Sequence, residues 1–266
     1  CRADRDLVIE VLASLEDRVL RWIRAPADVK AHPYQPRGGQ TSSMLARHFG
    51  APLFQAVRDR VVLDYGCGDG ADAIALARHG AQRVIGLEID PRPLDRARSR
   101  AGQAGVADRC TFTTHTTEMA DVIVSSDTFE HVPDLGRTLR HMDQLLLPGG
   151  TVWASFGPPW YHPKGGHVFS MIPWAHLLFR EAALCRWRTA FAPYPVPSFA
   201  SAGLSRMSIR RFRHTVGASP FRFDAFCLIP IQRLRLLGLT RWPLVREFAT
   251  AVVTCRLRRP LPPAPS

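Results

Sequence analysis

Lysine is almost missing from this sequence. Lys30 and Lys164 are its only lysines in a Lys+Arg total of 35, so arginine carries nearly all the positive charge. Six cysteines (Cys1, Cys67, Cys110, Cys185, Cys227, Cys255) stand far apart, without a CxxC pair or Cys/His groups at zinc spacing. That spacing excludes a disulfide framework and a structural metal clip. No apolar run approaches the ~18 residues that a membrane span needs. The opening residues, Cys1-Arg2-Ala3-Asp4-Arg5-Asp6, also lack a signal peptide's apolar stretch. A soluble, cytoplasmic protein is therefore expected.

What is present is a core-forming composition, 46% hydrophobic and 22% charged over 266 residues, which excludes disorder and collagen-like or solenoid repeats. The length suits one large domain with an appendage. The formal charge of +12 is unevenly spread: residues 201–266 hold twelve arginines against Asp224 and Glu247 alone. Such asymmetry points to an anionic group or a membrane surface as a partner, with a merely solvated arginine face as the alternative. Nucleic acid is not favoured, because no RNA-binding module or aromatic RNP signature is present.

The apolar spacing of residues 5–24 predicts an amphipathic helix. A proline-rich stretch and a second helical pattern from Thr41 to Phe54 complete an N-terminal helical cap over 1–59. From 60 to 259 strands alternate with helices. Strands are expected at 61–64, 83–89, 110–114, 121–125 and 151–156, and helices at 71–79, 94–101 and 135–147. Two further strand-like runs, 221–227 and 248–257, suit an antiparallel hairpin at the sheet edge. The expected fold is α/β: a doubly wound, mostly parallel seven-stranded sheet. A loop-rich insertion over about 157–205, with a helix at 172–187, is expected to shape an acceptor site. A disordered tail is expected over 260–266.

Asp64-Tyr65-Gly66-Cys67-Gly68-Asp69-Gly70 lies between the first strand and its helix. Glycines at alternate positions let the backbone turn sharply and come close to a ligand. The two acids in this GxGxG loop suit a ligand with a cationic portion better than a bare pyrophosphate. At the end of the second strand, Glu88 is placed to take both hydroxyls of a ribose, with Ile89 as an apolar lid on a purine.

These residues resemble the class I S-adenosylmethionine-dependent methyltransferases. Val61 to Gly70 is similar to their first motif and Val84 to Pro91 to the second-strand acidic motif. Asp121 to Ser125 with Phe129-Glu130-His131-Val132 is similar to the fourth-strand motif, and Leu147-Pro148-Gly149-Gly150 to the turn before the fifth strand. The Glu130-His131-Val132 signature is most similar to the branch acting on quinones, sterols and other small molecules. The resemblance implies S-adenosylmethionine as cofactor and S-adenosylhomocysteine as product. It implies a cofactor set of Asp64, Tyr65, Gly66, Gly68, Glu88, Ile89, Thr117, Glu118 and Ser126. Where the family often has an Asp beside the adenine, this chain reads Thr116-Thr117-Glu118.

Methyl transfer asks the protein to align the acceptor and, for a hydroxyl, to take its proton. The loop after the fifth strand offers Trp160 and Tyr161 as contacts for a small-molecule acceptor, joined by Tyr34 from the cap. It offers His162 and His167 as bases, with His131 as competitor. The two loop histidines lack a carboxylate to complete a metal site, so none is expected. The expected activity is methylation of a small molecule, most simply at a hydroxyl. An RNA or protein methyltransferase using the basic C-terminal quarter, or a non-catalytic S-adenosylmethionine binder, is the alternative.

Overall fold

The computed structural model describes residues 15–20, 22, 43–169, 172–190 and 194–260. Strand β1 (Val61–Tyr65), β2 (Arg83–Leu87), β3 (Cys110–Thr113), β4 (Ala120–Ser126) and β5 (Leu146–Phe156) run parallel. They are closed on one side by antiparallel β7 (Thr250–Arg258) and β6 (Arg222–Pro230), in the order β3-β2-β1-β4-β5-β7-β6. Val62, Leu63, Val84, Ile123 and Val124 are buried, as strands covered on both faces require. The expected edge hairpin is therefore real, and both its strands turn over at the carboxyl edge: Pro230 pairs with Thr250, and Phe156 at the end of β5 pairs with Val253.

One face carries α1 (Met44–Phe49), α2 (Ala51–Val57), α3 (Ala71–Arg78) and α4 (Leu94–Gln103). Leu45, Leu53 and Val57 join Leu76, Ala97 and Trp153 in one buried cluster, so these N-terminal helices are part of the core. Helices α1 and α2 replace the single expected helix, because Gly50 takes a left-handed φ of 55° and Pro52 opens the next helix. Of the expected first helix, residues 15–20 are helical and much of the rest lies outside the described residues, as do Tyr34 and the tail beyond Pro260.

The other face carries α5 (Leu135–Gln144) and, further on, α8 (Ile209–Gly217). Between them the chain forms α6 (Ala175–Leu178) and α7 (Glu181–Thr189). The helix expected over 172–187 is split at Phe179 and Arg180, where Glu16 takes the Arg180 N–H at 3.1 Å and its Nε at 2.9 Å. Helix α8 was not among the expected elements. Ile209, Phe212 and Val216 supply its buried stripe, and Glu247 caps it from a distance, accepting the N–H groups of Ile209 (2.9 Å) and Arg210 (2.7 Å). A short α9 (Arg246–Ala249) leads into β7. No described helix is long and apolar enough to cross a membrane.

Phe212 fastens α8 to the sheet: its ring lies 4.9 Å from Phe156, 5.8 Å from Phe223 and 5.9 Å from Phe129. Phe212→Ala is expected to lower unfolding stability by about 3–5 kcal/mol through the cavity left behind. Urea titration checks this, and a loss below about 1 kcal/mol would mean that α8 is not part of the core.

Candidate cofactor and acceptor site

The loop after β1 is held from two sides. Leu87 O accepts the N–H groups of Gly66 (2.8 Å) and Cys67 (3.1 Å), and Thr128, beyond β4, closes over Gly66. A Cβ on Gly66 would stand 2.4 Å from the Thr128 hydroxyl, and Gly66, Gly68 and Gly70 all have positive φ, so glycine is required in this turn. An added Cβ on Gly68 would meet nothing within 4 Å, so the loop leaves open space on that side.

Glu88 is 2% exposed and grips the same loop. Its Oε2 accepts the Gly68 N–H at 3.0 Å and its Oε1 the Asp90 N–H at 3.2 Å. Each oxygen retains acceptor capacity for a ligand hydroxyl. Ile89 beside it is 88% exposed, an apolar side chain standing over the strand ends. Asp64, 1% exposed, leaves Oδ2 without a hydrogen-bond partner among the described residues. Burial, then the charges of Asp72 and Glu88, push its carboxyl well above the usual carboxylate range, against the Ala73 N–H.

Asp72 has no place in the sequence expectations, yet it ties three elements together. It accepts the Leu45 N–H of α1 at 3.3 Å and a short bond from the Ser126 hydroxyl at the end of β4. Nearby, His48 Nδ1 meets the Ser155 hydroxyl of β5 at 3.0 Å, its pKa lowered mainly by burial. The only prior signal for Asp72 was an acid in the first turn of the helix after the glycine loop; His48 had none, since its approach to β5 is set by the packing of α1.

Other expected cofactor residues lie differently. The Tyr65 hydroxyl turns to His141 on α5 (3.1 Å), leaving its backbone to the loop. The connection from β3 to β4 descends the sheet, so Thr117 is on its exposed course. Glu118 is ion-paired with Arg83, the first residue of β2, at 2.8 Å. That is the amino edge, opposite the glycine loop, and Glu118 does not join the site. The carboxyl end of β3 presents Thr114 and His115 instead.

On the acceptor side, His131 follows β4 and its Nδ1 donates to Gly203 O at 2.9 Å, which leaves Nε2 as the acceptor nitrogen. The His167 ring packs edge-on against it at 5.3 Å, and burial lowers the His131 pKa. His162 is different. Its Nδ1 already accepts the Lys164 N–H at 2.9 Å, and burial pulls its pKa down to about 4. In the neutral ring the accepting nitrogen is therefore engaged by the loop's own backbone, and Nε2 carries the proton. Trp160 is packed among His176 (4.6 Å) and Phe199 (5.6 Å), with the Arg206 guanidinium over its ring at 5.5 Å; it braces the insertion. Tyr161 remains 38% exposed against Phe248. Glu130, 3% exposed, accepts the Gly157 N–H at 3.2 Å through Oε1, while Oε2 has no partner among the described residues. Burial pushes its carboxyl up to about 7. Three left-handed non-glycine residues, Asp127, His167 and Arg206, surround this region, backbone strain of the kind that gathers at ligand sites.

A family profile described as a methyltransferase domain matches residues 42–222. An uncharacterized methyltransferase of Mycobacteroides abscessus is 34% identical over 163 residues, covering 58% of this chain and 60% of that protein. A ubiquinone biosynthesis O-methyltransferase of Serratia proteamaculans is 38% identical over 105 residues, 36% of this chain and 42% of that protein. The chain thus spans less than two thirds of the length of these relatives. The crystal structure of an S-adenosylmethionine-dependent methyltransferase from Mesorhizobium loti shares the fold, with a TM-score of 0.52 at 19% identity, covering 78% of this chain and 96% of that one.

The buried Asp64 has a measurable consequence. With its folded pKa raised, the folded state holds a proton that the unfolded chain releases above the ordinary carboxylate range, so stability falls as pH rises through that window. Asp64→Asn removes this loss. The variant is expected to match the wild type near about pH 4 and to exceed it in thermal stability near about pH 8; a difference independent of pH would refute the buried, proton-holding carboxyl.

Proposed function

The chain belongs to the methyltransferase-domain family, whose methyl donor is S-adenosylmethionine, and on that premise we propose that it methylates a hydroxyl oxygen of a small molecule. The observation that carries the reading is the cradle formed by Gly66, Gly68, Glu88 and Asp64 at the carboxyl edge of β1 and β2. Ligands of open α/β sheets bind at that edge.

The residues fit the donor. Open space lies over Gly68, Glu88 has unfilled lone pairs for a ribose diol, and the orphaned Oδ2 of Asp64 suits an ammonium reached through water. Ile89 is exposed where a purine face would rest, and Thr114 and His115 follow the carboxyl end of the neighbouring β3. Ser126 would contribute through its bond to Asp72, and Tyr65 through its backbone. A bound cation also favours the ionised form of Asp64, opposing the burial and the neighbouring acids that hold its proton in the empty site.

When bound, the donor supplies a methyl on a positively charged sulfur, an electrophile that needs no further activation. The protein's task is alignment and removal of the hydroxyl proton. His131 is the residue placed to take it: Gly203 O fixes the tautomer, so Nε2 is the acceptor nitrogen of the neutral ring, and the lowered pKa keeps that ring neutral near pH 7. His167 packs against that ring and orients it. Oxygen as the acceptor atom is supported by the likeness to the Serratia O-methyltransferase, and Tyr161, half exposed at the mouth, is the proposed acceptor contact.

Calorimetry with S-adenosylmethionine tests the cradle: Glu88→Ala is expected to weaken binding by about 2 kcal/mol or more, and unchanged affinity would refute the assignment. For the proton step, His131→Ala is expected to lower turnover by about 10²- to 10⁴-fold with donor affinity intact, whereas His162→Ala leaves turnover nearly unchanged. Because burial lowers the His131 pKa, turnover should rise with pH and level off below about 6.5. Full turnover in the His131 variant would return proton removal to another group.

A further inference from the structure

The connection between β6 and β7, residues 231–249, projects from the carboxyl edge of the sheet, since Pro230 and Thr250 are paired at its base. It is apolar yet uncovered: Leu236 is 99% exposed, Leu244 88%, Trp242 66% and Leu237 63%. The patch continues to Tyr161, the proposed acceptor contact. The Phe248 ring packs at a tilt against Tyr161, 5.6 Å between centroids, and Tyr161 O accepts the Trp174 indole N–H at 3.0 Å.

Positive charge is interspersed with these side chains. Arg233, Arg235 and Arg241 are exposed and form no ion pair with any described residue. Glu247, the one acid of the segment, is turned inward to cap α8. Other arginines of the basic quarter are engaged within the fold: Arg206 with Glu181, Arg211 with the carbonyls of Ser205 and Pro133, Arg213 over Phe226, and Arg256 with Asp224. Arg233, Arg235 and Arg241 thus place unpaired charge where the apolar side chains are bare. Leucines and a tryptophan beside unpaired arginines match the layering of an anionic bilayer surface, acyl boundary beneath phosphate.

We infer that residues 231–249, with Tyr161 and Trp174, seat the protein on an anionic lipid surface with the acceptor mouth facing the bilayer. An acceptor carrying a hydrocarbon portion is then reached from the lipid phase, a consequence that rests on the acceptor site proposed above; the surface contact itself does not.

Co-sedimentation of the full chain with phosphatidylcholine vesicles, and with vesicles containing phosphatidylglycerol, tests this without any methyl donor. Binding to the anionic vesicles is expected, weakening as salt is raised. Arg233→Gln/Arg235→Gln/Arg241→Gln should reduce the preference for anionic vesicles by about 100-fold. Trp242→Ser/Leu244→Ser should weaken binding to both kinds by at least about 10-fold. Both variants should keep the wild-type melting temperature and S-adenosylmethionine affinity, which separates lost docking from lost folding or a failed cofactor assignment. Absence of binding at low salt, binding indifferent to both variants, or a dimer that Trp242→Ser/Leu244→Ser converts to monomer would overturn the inference.

Discussion

Everything at the carboxyl edge depends on the parallel alignment of β1 between β2 and β4. Leu87 O holds Gly66 and Cys67 from one neighbour, and Thr128 presses on Gly66 from the other. A side chain at Gly66 would break the second contact, and a slip of β2 by one residue would carry Glu88 to the wrong face. Register and glycine placement are thus one requirement. The acidic cluster, the glycine-loop turn and the entry to α3 all follow from it.

That alignment brings three carboxyl groups, Asp64, Asp72 and Glu88, into one buried neighbourhood, an arrangement that folding alone does not favour. Their bonds divide the work. Glu88 and Asp72 are satisfied largely by backbone N–H groups and a hydroxyl, so they fix the loop, α1 and β4; Asp64 keeps an unpaired oxygen. Burying the three acids together costs stability, and in Asp64 that cost takes the form of a raised carboxyl pKa.

The acceptor side is built from the opposite direction. Its residues come from the loops after β4 and β5 and from the insertion, whose own cluster of Phe169, Leu184, Trp187 and Phe199 is braced by Trp160. Glu181 ties it further, taking the Phe199 N–H at 2.6 Å and pairing with Arg206. The histidines there are distinguished by what their other nitrogen does. The Nδ1 of His131 donates to Gly203 O, whereas the Nδ1 of His162 accepts the Lys164 N–H.

The order of strands and helices from Arg60 to Phe156, the glycine loop and Glu88 were legible in the sequence, because local rules decide them: apolar runs of strand length, helical spacing, and glycines where φ must be positive. The edge hairpin was legible for the same reason. Helix α8 carried its signal in Ile209, Phe212 and Val216, diluted by arginines and capped by Glu247, a residue far along the chain. Only tertiary structure decided which long-range partner each polar side chain would meet. It sent Glu118 to Arg83 at the amino edge, brought Asp72 to Ser126 and His48 to Ser155, and left Arg233, Arg235 and Arg241 without ion pairs among the described residues. Sequence spacing fixes the face of an element on which a residue stands, but the identity of the group across the gap depends on how elements distant in the chain pack.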